Sequence, residues 1–168
     1  TDDHERTNSL RASVKKGHEK ICGLAWGSPK SEQFRRAGKS IPIEFWSEIF
    51  RLEDMKFLNL QYGNIEKERQ IAKSEFGTKI FCCNDVDNFE DIDGLASLIQ
   101  CTDIIVSSSN TVVHLAGALG KKTLLACPLS SGKFWYWQTS TGNSLFYPKV
   151  MVFSQKSPGD WGLAMKEI

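Results

Sequence analysis

The sequence has almost no charge imbalance and no long apolar run. Its 168 residues include 21 Lys and Arg against 20 Asp and Glu, which gives a formal net charge of +1. A dedicated binder of nucleic acid or of membrane surfaces needs a basic excess, so neither partner is expected. No segment approaches the ~18–20 apolar residues of a membrane span, and the polar first 19 residues show no signal peptide. We therefore expect a cytoplasmic location.

The chain also lacks the spacings of common metal and cofactor motifs. Its five cysteines form no CxxC, and none of its three histidines stands at ligand spacing from a cysteine. These absences predict small buried cysteines and no bound metal. Neither GxGxxG nor GxxxxGK[ST] occurs, which disfavours both a dinucleotide-binding Rossmann domain and a P-loop nucleotide hydrolase.

From residue 20 onward, short apolar segments alternate with amphipathic ones. This alternation predicts an α/β fold: a Rossmann-like, doubly wound parallel sheet of about five to six strands with helices on both faces. We expect a single domain over residues 20–168, preceded by a helical connector or linker over residues 1–19. The predicted strands are 21–26, 56–61, 79–83, 103–107, 122–127 and 150–153. The predicted helices begin at Pro42 and cover 64–76, 91–101, 110–119 and 158–168.

The connection rules indicate where such a sheet binds a ligand. Right-handed crossovers favour the strand order 3-2-1-4-5 or one close to it, so the order reverses between strands 1 and 4. Ligands of doubly wound sheets bind outside the carboxyl ends of the strands at this switch point. Two loops should meet there, 26–28 after strand 1 and 107–111 after strand 4.

The composition of both loops suits an anion. The second is a run of five small polar residues, Ser107 to Thr111, that leads into a helix. One such residue is enough to cap a helix, so five at a switch point favour anion binding by the helix start over capping alone. In the first loop, Gly27 and Ser28 permit close backbone approach. Cations follow, which either complete a diphosphate site or form a solvated loop: Lys30, Arg35, Arg36 and Lys39.

Three further features have two interpretations each. His114, one turn into the apolar helix, is either a structural residue, which we favour, or a catalyst, and no carboxylate is spaced to orient it as a base. The aromatic segment 134–137 either stacks on a carbohydrate or a base, or locks an irregular segment onto the body, which we favour. A group of acids either holds a metal or compensates a helix start, which we favour: Asp85, Asp87, Glu90 and Asp91.

The segment DNFEDIDGLASLIQCTDIIVSSSNTVVHLAGALGKKTLLACPL resembles the donor-binding half of glycosyltransferases with the two-Rossmann GT-B fold. It is most similar to the heptosyltransferase-like family and its tetratricopeptide-linked bacterial relatives. Their motif runs from an aspartate to His-Leu-Ala-Gly-Ala-Leu-Gly-Lys-Pro, and the matching stretch here is 109–121. GLAWGSP, KSIPIEFW, NLQYG and SPGDW follow the same family order, so the resemblance covers about residues 20–168.

The resemblance implies a nucleotide-sugar as donor ligand and no metal cofactor. The implied diphosphate-binding residues are Gly27, Ser28, Lys39, Ser109, Asn110, Thr111 and His114. The implied nucleoside-binding residues are Gln61, Tyr62, Val86 and Phe89. These sets agree with the switch-point argument, which does not use the resemblance.

The chain departs from the family in two ways. Ser109 stands where the family has the aspartate that faces the donor sugar or the diphosphate edge, which affects sugar choice and activity. An N-terminal acceptor domain, which supplies the catalytic base in the family, or a tetratricopeptide region, is not part of these 168 residues. The expected function is thus a nucleotide-sugar-binding domain that transfers sugar only when an acceptor domain completes it. The alternative is a non-catalytic nucleotide-binding or protein-interaction module on the same fold.

Overall fold

The computed structural model describes residues 4–15, 17, 19–27, 38–129, 134–137 and 142–168. Its centre is a six-stranded sheet in which all neighbouring strands run parallel. The strands are short apolar runs because helices cover both faces, so neither face has to be polar. They are β1 (Lys20–Ala25), β2 (Met55–Asn59), β3 (Ile80–Phe81), β4 (Ile104–Ser108), β5 (Thr123–Cys127) and β6 (Val150–Ser154).

The strand order is β3-β2-β1-β4-β5-β6. The predicted fold class and order are confirmed, and β6 extends the sheet beside β5. The chain adds β2 and β3 on one side of β1 and β4 to β6 on the other, so the strand order reverses between β1 and β4. There Cys22 pairs with Ile104 and Ala25 with Ser107. The loops after these two strands therefore leave the same edge of the sheet side by side.

Six helices are described: α1 (His4–Val14), α2 (Ser47–Phe50), α3 (Glu66–Phe76), α4 (Ile92–Cys101), α5 (Thr111–Ala118) and α6 (Gly162–Glu167). Two of the helices have a side-chain N-cap. Asp91 accepts from the Gly94 N–H at 2.8 Å at the start of α4, and Asn110 accepts from the Val112 N–H at 3.0 Å at the start of α5. Gly77, at φ 65°, ends α3 in the left-handed conformation that glycine adopts readily.

Three predicted elements differ from the structure. The helix expected at Pro42 is a 3₁₀ turn over Ile43–Trp46 that continues as α2. The third strand is shorter than 79–83, because only Ile80–Phe81 pairs with β2 at this edge of the sheet. The last helix begins at Gly162 and not at Pro158, because the chain first turns through a bridge between Ser157 and Asp160.

The two faces of the sheet have separate apolar cores. On β1, Cys22 and Leu24 point into the core beneath α2, α3 and α6, whereas Ile21 and Ala25 point into the core beneath α1, α4 and α5. This alternation follows from the two-residue repeat of a strand. Gly23 has no room for a larger residue, because a Cβ there would lie 2.6 Å from Leu60 Cδ1.

Helix α1 packs against the domain. Leu10 and Val14 are buried in the second core, and the Arg6 guanidinium forms an ion pair with Asp91 at the start of α4. Lys56 donates to the Val14 carbonyl oxygen. The segment predicted as a connector is thus helical and packed, and the domain boundary at residue 19 stays a prediction. No helix in the described part of the chain is both long and apolar enough to cross a membrane.

Candidate functional site

The loop after β1 packs closely against the segment before the 3₁₀ turn. The Ile41 N–H donates to the Trp26 carbonyl at 2.8 Å, and a Cβ on Gly27 would lie 2.5 Å from Ser40 Oγ. The close approach predicted for Gly27 is therefore an approach to the chain itself. The other predicted residues of this loop, Ser28, Lys30, Arg35 and Arg36, lie outside the described residues.

Gln61 joins the ends of β1 and β2. Its Oε1 accepts from the Trp26 N–H at 3.1 Å and from the Gly27 N–H at 2.9 Å. Its Nε2 donates to the Tyr62 carbonyl at 3.2 Å. Since the side chain is buried and both amide atoms have partners, Gln61 holds the loop after β1 against the end of β2.

The start of α5 is held by a small network of polar side chains. Asn110 Oδ1 accepts from the Val112 N–H and from Ser107 Oγ, the latter at 3.3 Å. Asn110 Nδ2 donates to Ser108 Oγ at 3.4 Å. Capping thus accounts for the Asn110 side chain and fixes the two serines before it. Anion binding by the helix start stays a prediction.

A pocket of about 120 Å³ opens between the carboxyl ends of β1 and β2 and the start of α5. We call it the inner pocket. It brings Gln61, Tyr62 and Phe89 together with Asn110 and Thr111, which come from the two predicted sets. The Tyr62 and Phe89 rings contact each other with centroids 5.4 Å apart. Its lining is Ala25, Leu60, Gln61, Tyr62, Asn88, Phe89, Ile92, Leu95, Asn110, Thr111 and Val112.

A larger pocket of about 300 Å³ adjoins the inner one and shares Gln61 and Tyr62 with it. We call it the outer pocket. Gly27, Ser40 and Glu68 are among its polar or small residues. Val86, by contrast, is buried in the core beneath α4 and does not line either pocket.

Lys39 lies on the other side of the switch point. Its side chain is buried, with Nζ 3.9 Å from the centroid of the Phe134 ring. The ammonium group lies against an aromatic face, and burial lowers the pKa of Lys39 below its usual range. In the described residues Lys39 does not line either pocket, so the structure does not bring it together with the inner-pocket set.

His114 is half-buried among three aromatic residues. Its Nδ1 lies 3.2 Å from the Tyr147 hydroxyl, and its ring centroid lies 4.9 Å from that of Trp137 and 5.5 Å from that of Tyr136. Burial lowers the pKa of His114 below its ordinary value of 6.5. Burial therefore favours the neutral imidazole over the imidazolium.

The aromatic segment 134–137 is attached to the body mainly through Trp137. Trp137 is 1% exposed, and its Nε1–H donates to Ser109 Oγ at 2.9 Å. Trp135, two residues earlier, is 67% exposed. The locking interpretation is confirmed for Trp137. Ser109, where the resemblance predicted an aspartate, uses its hydroxyl oxygen to hold this indole.

Two acids before α4 accept from backbone N–H groups, and the predicted compensation of the helix start is confirmed for Asp91, which caps α4. Asp87 accepts from the N–H groups of Phe89 and Glu90, which lowers the pKa of Asp87. Hydrogen bonding from Arg6, and then from the Gly94 N–H, lowers the pKa of Asp91. These bonds order the loop that carries Phe89 into the inner pocket.

Asn88, which lies between the predicted nucleoside-binding residues Val86 and Phe89, lines the inner pocket and donates to the Gln61 carbonyl at 3.2 Å. Sequence reasoning missed one contributor to the site, the contact of Tyr147 with His114. Gly117 in α5 is the sequence feature that could have indicated a close contact of this kind. A Cβ there would lie 2.4 Å from Tyr147 Cγ, so the glycine marks where the tyrosine ring meets the helix.

No protein-family model matches the chain. Over 167 residues, 99% of its length, it is 30% identical to Protein FlbA of Caulobacter vibrioides. Its fold matches two solved enzymes over its whole length. These are E. coli ADP-heptose LPS heptosyltransferase II, at TM-score 0.67 and 14% identity, and a family 9 glycosyl transferase of Veillonella parvula, at TM-score 0.65 and 13% identity.

E. coli heptosyltransferase WaaC, solved with ADP-2-deoxy-2-fluoro heptose, matches 96% of the chain at TM-score 0.58 and 13% identity. The chain spans 27% of Protein FlbA and 48%, 45% and 46% of the three enzymes. At 13–14% identity these likenesses establish a shared fold. The chain therefore has the architecture of about half of a heptosyltransferase-like glycosyltransferase.

Proposed function

We propose that the chain binds the nucleoside diphosphate part of a nucleotide-sugar. In this proposal it is the donor-binding part of a glycosyltransferase. The observation that carries the proposal is the inner pocket, where Tyr62 and Phe89 share one cavity with the start of α5 at the β1–β4 switch point. Aromatic rings offer a stacking surface to a base, and a helix start offers N–H groups to phosphate.

The charge distribution supports an anionic ligand on the β4 side. Between Asp103 and Asp160 the sequence contains no acidic residue. The same stretch contains five lysines: Lys121, Lys122, Lys133, Lys149 and Lys156. A diphosphate at the start of α5 would therefore meet little like-charge repulsion from β4, β5 and β6.

In a transfer reaction this site would position the donor and stabilise the leaving diphosphate. The start of α5 supplies the positive end of the helix dipole, and Lys39 supplies a cation on the other side of the switch point. No metal is required for that role. The base that activates the acceptor would come from an acceptor domain, so the chain alone binds the donor without transferring sugar.

The test is a titration of the chain with ADP, GDP, UDP and CDP, without added metal. Binding is measured by the shift in melting temperature and by calorimetry. We expect one base to be preferred, and Phe89→Ala to weaken that nucleotide about 5- to 150-fold, since stacking contributes ~1–3 kcal/mol per base. Phe146→Ala is the matched control, because Phe146 is 57% exposed against 40% for Phe89 and lies outside the inner pocket. Equal affinities of the two variants, or no binding of any nucleotide, would contradict the proposal.

The bond between Ser109 and Trp137 favours a second candidate, a non-catalytic module on the same fold. Ser109 is neutral, and its hydroxyl oxygen already accepts from the Trp137 indole. It therefore offers a donor sugar weaker hydrogen bonding than the family aspartate would. Lys39→Ala separates the candidates, with the exposed Lys149→Ala as control. Loss of nucleotide affinity in the Lys39 variant alone supports a donor site, and unchanged affinity in both supports the second candidate.

The proposal includes a partner for this chain. The structural matches span about half of each enzyme, which leaves room in those enzymes for an acceptor-binding part. We propose that a corresponding acceptor domain, or a tetratricopeptide region, completes the site in the cytoplasm. Sugar transfer from the preferred donor, measured with and without such a domain present, is the corresponding test.

A further inference from the structure

The contact between His114 and Tyr147 joins a phenol hydroxyl to one nitrogen of the imidazole. A neutral imidazole carries one hydrogen, on Nδ1 or on Nε2, and the hydrogen bond at one nitrogen sets the other. Here Nδ1 lies 3.2 Å from the Tyr147 hydroxyl. A phenol is both a donor and an acceptor, so its O–H can donate to an unprotonated Nδ1. When it does, the hydrogen of His114 lies on Nε2.

Tyr147 is held at His114 from two directions. Its side chain packs directly on the backbone of α5 at Gly117, where a Cβ would lie 2.4–2.9 Å from three side-chain atoms of the tyrosine. Its carbonyl accepts from the Val150 N–H at 2.9 Å, at the start of β6. The start of β6 thus holds the backbone of Tyr147, and α5 holds its ring. Together they fix the position of the hydroxyl.

The surroundings keep the imidazole neutral. Besides Tyr147, the groups that face it are Trp137 and Tyr136 of the aromatic segment, and burial lowers the pKa of His114. Asp103 and Asp160 are the nearest acids in the sequence on either side, so none of the residues between them supplies a carboxylate that would favour an imidazolium. The usual carboxylate partner of a functional histidine is thus replaced by a phenol.

We propose that Tyr147 is a positioning residue that holds His114 in the neutral Nε2–H tautomer, so that Nε2 donates a hydrogen bond to an anionic oxygen at the start of α5. His114 stands three residues after Thr111 and four after Asn110, so these side chains share a helix face. Helical side chains also lean toward the N-terminus of the helix. The identity of the anion, a nucleoside diphosphate, rests on the proposed function.

The first test measures the tautomer in the ligand-free protein. Long-range ¹H–¹⁵N spectra distinguish an imidazole protonated on Nε2 from one protonated on Nδ1, and His114→Gln identifies the His114 signals. We expect the Nε2–H tautomer in the wild type. Tyr147→Phe, which keeps the ring on Gly117, should shift His114 toward a mixture of tautomers. A wild type protonated on Nδ1, or a Tyr147→Phe spectrum identical to it, would overturn the proposal.

Tyr136→Phe is the matched control. It removes a second phenol hydroxyl beside the same imidazole, but the contact of Tyr136 with His114 is ring to ring, with centroids 5.5 Å apart. The His114 tautomer should therefore be unchanged in this variant. A shift as large as that of Tyr147→Phe would mean that loosened packing, and not the Tyr147 hydrogen bond, sets the tautomer.

The second test measures affinity for ADP, GDP, UDP and CDP. A mixture of tautomers leaves Nε2 able to donate in only part of the molecules, so Tyr147→Phe should weaken the preferred nucleotide about 2-fold, with Tyr136→Phe near the wild type. A shifted tautomer with unchanged affinity would overturn the donor role of Nε2. If no nucleotide binds the wild type, the proposed function fails, whereas the tautomer measurement still decides the assignment of Tyr147.

Discussion

The two sides of the switch point differ in what fills them. On the β2 side, the inner pocket is an open cavity of about 120 Å³ whose wall includes the partly exposed Phe89. On the β5 side, the chain's own side chains occupy the equivalent space: Trp137 is buried against Ser109, and Phe134 lies over Lys39. The difference teaches that a cavity stays open on the first side, whereas internal contacts of the chain fill the second.

The internal contacts of the β5 side make Trp137 the position of largest expected effect. Trp137→Ala removes a fully buried indole and leaves Ser109 without its partner, so we expect a loss of ~3–5 kcal/mol in the free energy of unfolding. Denaturant unfolding measures it. Trp135→Ala, at 67% exposed, is the control and should change stability by less than ~0.5 kcal/mol. Similar losses in both variants would mean that the aromatic segment is not anchored through Trp137.

The β2 side depends on Gln61 in a different way. Gln61→Ala removes the acceptor of two backbone N–H groups, Trp26 and Gly27, which would lose ~1–3 kcal/mol of stability and widen both pockets. Nucleotide affinity should fall with it, because the loop after β1 is released. Gln70→Ala on the exposed face of α3 is the control. A stable variant with unchanged affinity would show that the loops keep their positions without this bridge.

The smallest expected effect is a pH dependence on the β5 side. Because burial lowers the pKa of His114 in the folded state, the unfolded chain binds more protons as pH falls below 6.5. Stability due to the neutral imidazole is therefore fully present above 6.5 and is lost as pH falls below it. His114→Gln should flatten the unfolding free energy between pH 7 and pH 5, with His4→Gln as control. Parallel pH profiles for wild type and His114→Gln would show that His114 does not contribute to the pH dependence of stability.

The sheet and its switch point were predictable because they depend on local patterns. Apolar runs such as Ile104–Ser108 need a covered sheet, and the handedness of crossovers then fixes the strand order. The small polar run before α5 was predictable as a helix start. Its use was not, since the same Asn110 can cap a helix or face a ligand, and the structure shows the capping bonds.

The placement of side chains across long separations in sequence was not predictable. Val86 resembles a pocket residue by position yet packs in the core, and Tyr147 reaches His114 from 33 residues away. Such contacts depend on how β6 and its preceding segment lie over α5. No periodicity in the sequence reports that geometry.

By itself, the sequence determined an α/β chain whose loops after β1 and β4 meet at one edge, because strand periodicity and crossover handedness are local rules. Only the tertiary structure decided that this edge has an open side and a filled side. It also decided that a tyrosine, and not a carboxylate, faces the histidine of α5. The reason is physical: burial and hydrogen-bond partners depend on which distant segments share a volume, and that is set when the whole chain packs.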